Sequence, residues 1–220
     1  MRERGRINDM NIRTVLFDLD GTLIDTNELI MASFKHTFAK FQLSFTDEEI
    51  STFNGPPLEE TFYNIDPERA DEMLKVYRKH NIKHHRHYVK VFPQVIETLK
   101  KLKQKGIKLA IVTSKMRKSA LIGIEETGLL PFFPVIITCD DVDDPKPHPE
   151  PVLKALNHLN RQAKSAIMVG DNYHDIVSGQ RANVLTAGVA WSSKGESFLQ
   201  AYHPTYMLKE MKDLLRIIES

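Results

Sequence analysis

The sequence predicts an α/β protein: a parallel sheet layered between helices, with a helical insert after the first strand. Three observations carry this. From Thr14 onward, short runs rich in Val, Ile and Leu alternate with amphipathic stretches of helix length, the pattern of parallel strands joined by helical crossovers. About ninety residues separate the first run from the second, many more than the dozen or so that a crossover needs. Acidic, hydroxyl and glycine residues follow the runs, at the strand ends where an open parallel sheet binds its ligands.

Strands are expected at 14–17, 108–113, 135–138, 166–170 and 184–189, with a weaker sixth at 205–208; such continuous apolar runs suit strands buried on both faces. Segments 95–105, 117–127, 150–160 and 175–182 carry apolar residues three and four apart and read as covering helices. Gly106, Gly128 and Gly179 punctuate or end them. The insert, 27–88, has helical period in Leu29, Ile30, Phe34, Phe38 and Phe41, and again in Met73, Leu74 and Tyr77. Gly55-Pro56-Pro57 breaks it in the middle. It reads as a small helical cap on a core formed by 13–26 and 89–220. Residues 1–12 are polar and lack hydrophobic period, so they read as a loose leader, within which Met10 offers an alternative start.

With 30 basic and 29 acidic side chains and a net charge of +1, the chain lacks the electrostatic footprint of a nucleic-acid or membrane-surface binder. The lone Cys139 cannot form an intramolecular disulfide, and neither a secretory pattern nor an apolar run near eighteen residues occurs. The expectation is a soluble cytoplasmic protein, monomer or homodimer, without nucleic-acid or membrane partners.

The chemistry concentrates at four strand ends. Asp18-Leu19-Asp20-Gly21-Thr22 follows the first strand, and Thr113-Ser114-Lys115 closes the second. Lys146-Pro147 lies in a loop before a helix, and Gly170-Asp171 leads to Asp175 after the fourth strand. Each piece alone has an ordinary explanation: an Asx turn, a helix cap, a solvated lysine. Their conjunction does not. Asp18, Asp20, Asp171 and Asp175 would converge, and like charges about 4 Å apart repel by about 4 kcal/mol at an effective dielectric near 20. Lys146 and a hard divalent cation would compensate them, and magnesium takes carboxylates, water and a substrate phosphate. Such a site suits a phosphoryl group.

These motifs, in this order and strand context, resemble the four motifs of the haloacid dehalogenase superfamily, from about Arg13 to Leu215. The resemblance implies a Rossmann-like core and, for the insert, a type-one (C1) cap, in the phosphoglycolate phosphatase-like branch. It implies that Asp18 is the nucleophile and Asp20 the general acid and then base. Thr113 would hydrogen-bond the transferring group, and Lys146 would offset charge. Asp18, Asp171, Asp175 and the Asp20 carbonyl would hold Mg2+, and Gly21, Thr22 and Ser114 would line the substrate. The chain departs from the pattern at His148, where an Asp is common; this alters local charge and should leave Lys146 in place.

A narrower resemblance, to bacterial pyrophosphatases, rests on Thr26-Asn27-Glu28-Leu29-Ile30, Gly55-Pro56-Pro57-Leu58, Gly170 to Asp175 and Gly188-Val189-Ala190-Trp191. It implies hydrolysis of inorganic pyrophosphate. The alternatives are a phosphoglycolate or other small phosphomonoester phosphatase, a sugar-phosphate mutase, and a binder of phosphorylated ligands without catalysis. In the cap, Gly55 allows close approach to a ligand. The basic stretch from Arg78 to His87 reads first as a solvated helix face. His85 or Arg86 is expected to meet the distal anionic end of the substrate. With no acidic or cysteine partner interleaved, the stretch does not read as a metal site.

Overall fold

The computed structural model describes residues 11–54 and 58–219. Along the chain, β1 (Thr14–Phe17) and β2 (Ile24–Asp25) lead into α1 (Asn27–Lys40), α2 (Asp47–Thr52), α3 (Leu58–Ile65) and α4 (Ala70–Tyr88). Then follow β3 (Lys90–Val91), α5 (Val95–Gln104), β4 (Lys108–Val112), α6 (Arg117–Glu126), β5 (Val135–Ile137) and α7 (Glu150–Leu159). The chain closes with β6 (Ala166–Gly170), α8 (Tyr173–Arg181), β7 (Leu185–Val189), α9 (Glu196–Gln200), β8 (Tyr206–Leu208) and α10 (Asp213–Glu219).

Six strands form one parallel sheet in the order β5-β4-β1-β6-β7-β8, and β2 pairs with β3 separately. Helices flank the sheet, as the alternating pattern predicts. All four residues of β1 are buried, because it lies between β4 and β6. Period two sends successive side chains to opposite faces. Leu16, Ala110, Val112 and Met168 thus share one face with Val152, Ala155 and Leu156 of α7. Register sets the site: Phe17 pairs with Ile111 and with Val169, so Asp18, Thr113 and Asp171 emerge within two residues of one row across three adjacent strands.

The chain divides into two compact units, one formed by the chain up to Ile24 and from Val91 onward, the other by Asp25–Lys90. The second has its own core of Phe34, Phe38, Ile50, Phe62, Met73, Leu74 and Tyr77. Phe34 anchors it, with ring centroids of Phe62 at 5.6 Å and Tyr77 at 4.8 Å.

Several boundaries differ from the sequence reading. Ile12 is buried and Arg13 N–H donates to Ser165 O at 2.8 Å, so the core begins inside the expected leader. Strand β4 stops at Val112; Thr113 makes one further bond, N–H to Ile137 O at 2.9 Å, before the chain bends. Helix α8 starts at Tyr173 because the Asp175 carboxylate accepts Asn172 N–H at 3.0 Å, occupying a donor the first turn leaves open. The short α9 and α10 were not legible, having too few turns to establish a period.

Candidate active site

Lys146 lies at the centre of the strand-end cluster with its side chain only 2% exposed. Its ammonium donates to Asp18 Oδ1 at 2.7 Å, to Asp175 Oδ1 at 2.6 Å and to Val112 O at 2.8 Å. All three protons of the cation are therefore used. Burial alone would lower its pKa, but the Asp175 and Asp18 carboxylates outweigh burial and hold it above its ordinary value. Asp18 is tied to the sheet through its own N–H to Val169 O at 2.9 Å.

One ammonium cannot neutralise three acids, of which Asp18 and Asp175 are buried and Asp171 half-buried. Asp18, Asp171 and Asp175 each present a carboxylate oxygen within 4.8 Å of the others. Burial pushes Asp18 up to about 7, with Lys146 lowering it and Asp175 and Asp20 raising it. Burial, then Asp18 and Asp175, raise Asp171 well above the usual carboxylate range. Both shifts mark negative charge awaiting a cation. Two glycines make the crowding sterically possible: a Cβ on Gly21 would lie 2.4 Å from Asp171 Oδ2, and one on Gly170 would meet the Asp175 carboxylate. Gly21 also has φ +81°, closing a turn in which Leu19 O accepts from Leu23 and Ile24 N–H. The three carboxylates fit a divalent cation: hard oxygens, and negative charge beyond what the Lys146 ammonium offsets.

A second mixed group, Asp144, His148 and Glu150, also lies within 4.8 Å. Two of its three members are already hydrogen-bonded within their own loop. Glu150 accepts N–H from Asp143 and Asp144, and His148 Nδ1 accepts Glu150 N–H at 3.3 Å. His148 thus points toward its own loop, and Lys146 keeps both of its carboxylates.

Asp20 is more open than Asp18, and its Oδ1 accepts a proton from Lys115 Nζ at 2.8 Å. Thr113 Oγ1 accepts Lys115 N–H at 3.1 Å, which leaves its hydroxyl proton to donate. Ser114 beside it is exposed. Thr22, expected at the substrate, is fully buried, and its hydroxyl has no hydrogen-bond partner among the described residues; the tight turn after Leu19 packs it inward.

In the other unit, His85 is also wholly buried. Helix α4 turns inward the face carrying Met73, Leu74, Tyr77, Asn81 and His85, spaced at helical intervals. Arg86 is exposed. Gly55 lies outside the described residues.

Two cations at the site were not selected from sequence. Lys115 stands in the Thr113-Ser114-Lys115 run after the second strand and pairs with Asp20. Lys194 follows β7; burial lowers its pKa while Asp171 and Asp175 raise it, and its backbone N–H donates to Ser192 Oγ, which itself donates to Asp171 O at 2.8 Å. Both lie just past strand ends, the positional signal that picked out the acids.

Residues 15–189 match the family model described as haloacid dehalogenase-like hydrolase. The chain is 54% identical over 209 residues to "Pyrophosphatase PpaX" of Oceanobacillus iheyensis, covering 95% of this chain and 98% of the relative. It is 53% identical over 213 residues to the protein of that name in Bacillus pumilus, covering 96% and 99%. Among solved structures, a haloacid dehalogenase-like family hydrolase from Streptococcus pneumoniae superposes with a TM-score of 0.83 at 26% identity, covering 94% of this chain and 98% of the other.

Proposed function

Because the chain belongs to the haloacid dehalogenase-like hydrolase family, we propose that it is a Mg2+-dependent inorganic pyrophosphatase working through an aspartyl-phosphate on Asp18. The observation that carries the chemistry is the buried bridge from Lys146 to Asp18 at 2.7 Å and to Asp175 at 2.6 Å, beside Asp171. The substrate rests on the two relatives named pyrophosphatase at 54% and 53% identity over nearly the whole chain.

Phosphoryl transfer asks a protein mainly to position reactants and to stabilise spread negative charge. The Asp18 carboxylate attacks one phosphorus; its O–P bond forms as the bridging O–P bond breaks, and the bridging oxygen leaves with the second phosphate. Water then attacks the phosphorus of the aspartyl-phosphate, Asp20 takes its proton and returns it to solvent, and inorganic phosphate departs as Asp18 is regenerated. Lys146 offsets charge on Asp18 throughout, and Thr113 donates its free hydroxyl proton to the phosphoryl group. Asp18, Asp171, Asp175 and the Asp20 carbonyl would hold Mg2+, which when bound supplies positive charge against the phosphoryl oxygens. We assign the Asp25–Lys90 unit the part of a cap that limits substrate size. No helix among the described residues is long and apolar enough to cross a membrane, and we place the activity in the bacterial cytoplasm.

The test is phosphate release with Mg2+ from pyrophosphate, phosphoglycolate and sugar phosphates, for the wild type and Asp18→Asn. Pyrophosphate should be turned over fastest, and Asp18→Asn should abolish turnover. Faster release from phosphoglycolate would reassign the substrate while keeping the chemistry. Activity surviving in Asp18→Asn would overturn the nucleophile.

A further inference from the structure

The mechanism leaves unused a row of three imidazoles in the Asp25–Lys90 unit. His80 on α4 stacks against His36 on α1, with ring centroids 4.4 Å apart, and against His84, one turn along α4, again at 4.4 Å. Sequence alone offered no partner for the α4 histidines; the packing of α1 on α4 brings one.

The protonation of the middle ring can be worked out. Ser33 Oγ donates its single proton to Leu29 O at 2.7 Å. It therefore has none for His80 Nδ1 at 3.1 Å, and that contact requires His80 to be the donor. Asn81 Nδ2 supplies the second proton that Ser33 Oγ accepts, at 3.4 Å. Nε2 of neutral His80 is then the bare nitrogen. Burial, His36, His84 and Lys83 all lower the His80 pKa, which keeps the ring neutral near pH 7. A ring whose Nδ1–H is held by a fixed oxygen, with Nε2 free, is how proteins present a metal-ligating histidine.

We propose that His36, His80 and His84 form a binding site for a transition-metal dication of the Zn2+ or Ni2+ class, which ties α1 to α4. Imidazole nitrogens favour such ions over Mg2+, which prefers the hard oxygens of Asp18, Asp171 and Asp175. The nitrogens of the three rings are not gathered within 4.8 Å of one another as the rings stack; with His80 held by Ser33, His36 and His84 reach an ion on His80 Nε2 by turning their own rings about χ2, a broad torsion in histidine. His36 is exposed and His84 half-buried, so this motion is open to them.

The test is calorimetric titration of Zn2+ into the full chain in excess Mg2+, comparing wild type with His80→Gln/His84→Gln, Ser33→Ala and His148→Gln. One Zn2+ site should be present in wild type and in His148→Gln, absent in the double variant, and weakened about tenfold or more in Ser33→Ala, the usual cost of removing an outer hydrogen-bond partner. Circular dichroism checks folding. Should the double variant unfold, His36→Gln, exposed on α1, carries the test and should weaken the site by a similar factor. No Zn2+ binding in wild type, or undiminished binding in the folded histidine variants, would overturn the site.

Discussion

Gly21 and Asp171 are packed so closely that a Cβ on the glycine would lie 2.4 Å from Asp171 Oδ2. Gly21 also has φ +81°, a conformation that costs other residues about 1–2 kcal/mol. Gly21→Ala should therefore both strain the turn and displace Asp171, raising the Mg2+ concentration for half-maximal activity at least about tenfold. Gly106 provides the control: its φ is +75°, but nothing lies within 4 Å of an added Cβ. Gly106→Ala should lower thermal stability and leave the Mg2+ requirement unchanged. Equal Mg2+ requirements in the two variants would show that the approach to Asp171 is immaterial.

Removing Lys146 should damage folding as well as activity. Its amine serves Asp18 and Asp175 at once, and breaking a buried ion pair from one side costs about 3–5 kcal/mol. Urea unfolding of Lys146→Met in EDTA should register a loss of that order at pH 8. The loss should shrink at pH 5, where Asp18, already raised to about 7 by burial, takes up a proton instead of remaining an uncompensated anion. A loss independent of pH would contradict the assigned charge states.

Asp18 also links metal binding to protons. Its folded pKa of about 7 exceeds the ordinary aspartate value of 3.8, so between about pH 4 and 7 the metal-free folded protein binds a proton that the unfolded chain has released. Stability from this group is full below the unfolded pKa and is lost as pH rises through the folded one. A cation binds the ionised carboxylates, so Mg2+ binding near pH 6 should expel protons, Asp171 adding to the count because it is raised in the same direction. Calorimetry in buffers of different ionisation enthalpy reads that number directly, and zero would rule out the coupling.

Sequence reached the acids and Lys146 because strand patterns are local and a parallel sheet presents its ligands just beyond strand ends. Asp18, Thr113 and Asp171 follow from register alone. Contacts between distant segments were less legible. Lys115 reaches Asp20 across 95 positions; its place just past β4 puts it near the site, but the pairing itself is not a local feature. The inward turn of His85 depends on the phase of α4, which the charged residues around it obscure. Thr22 lies within the first motif, yet its side chain is buried by the turn that Gly21 permits. Thus the motif located the site, while the exposure of individual side chains required the fold.

The pairing of Lys115 with Asp20 bears on substrate. General acid help matters most for a poor leaving group: an alkoxide resembles hydroxide from water, of pKa about 15.7, whereas phosphate carries a second pKa near 6. An ion-paired Asp20, with its Oδ1 held by Lys115 at 2.8 Å, is arranged for a leaving group that needs little protonation. Asp20→Asn should consequently slow phosphoglycolate turnover more than pyrophosphate turnover, by about tenfold or more, acid–base catalysis as a whole contributing about 10²–10⁴-fold. Lys115→Met should reverse the bias, slowing pyrophosphate turnover more, since it removes a cation beside the departing phosphate. Steady-state rates for both substrates on one preparation of each variant decide the matter, and parallel losses would mean that Asp20 acts chiefly in the shared hydrolysis of the aspartyl-phosphate.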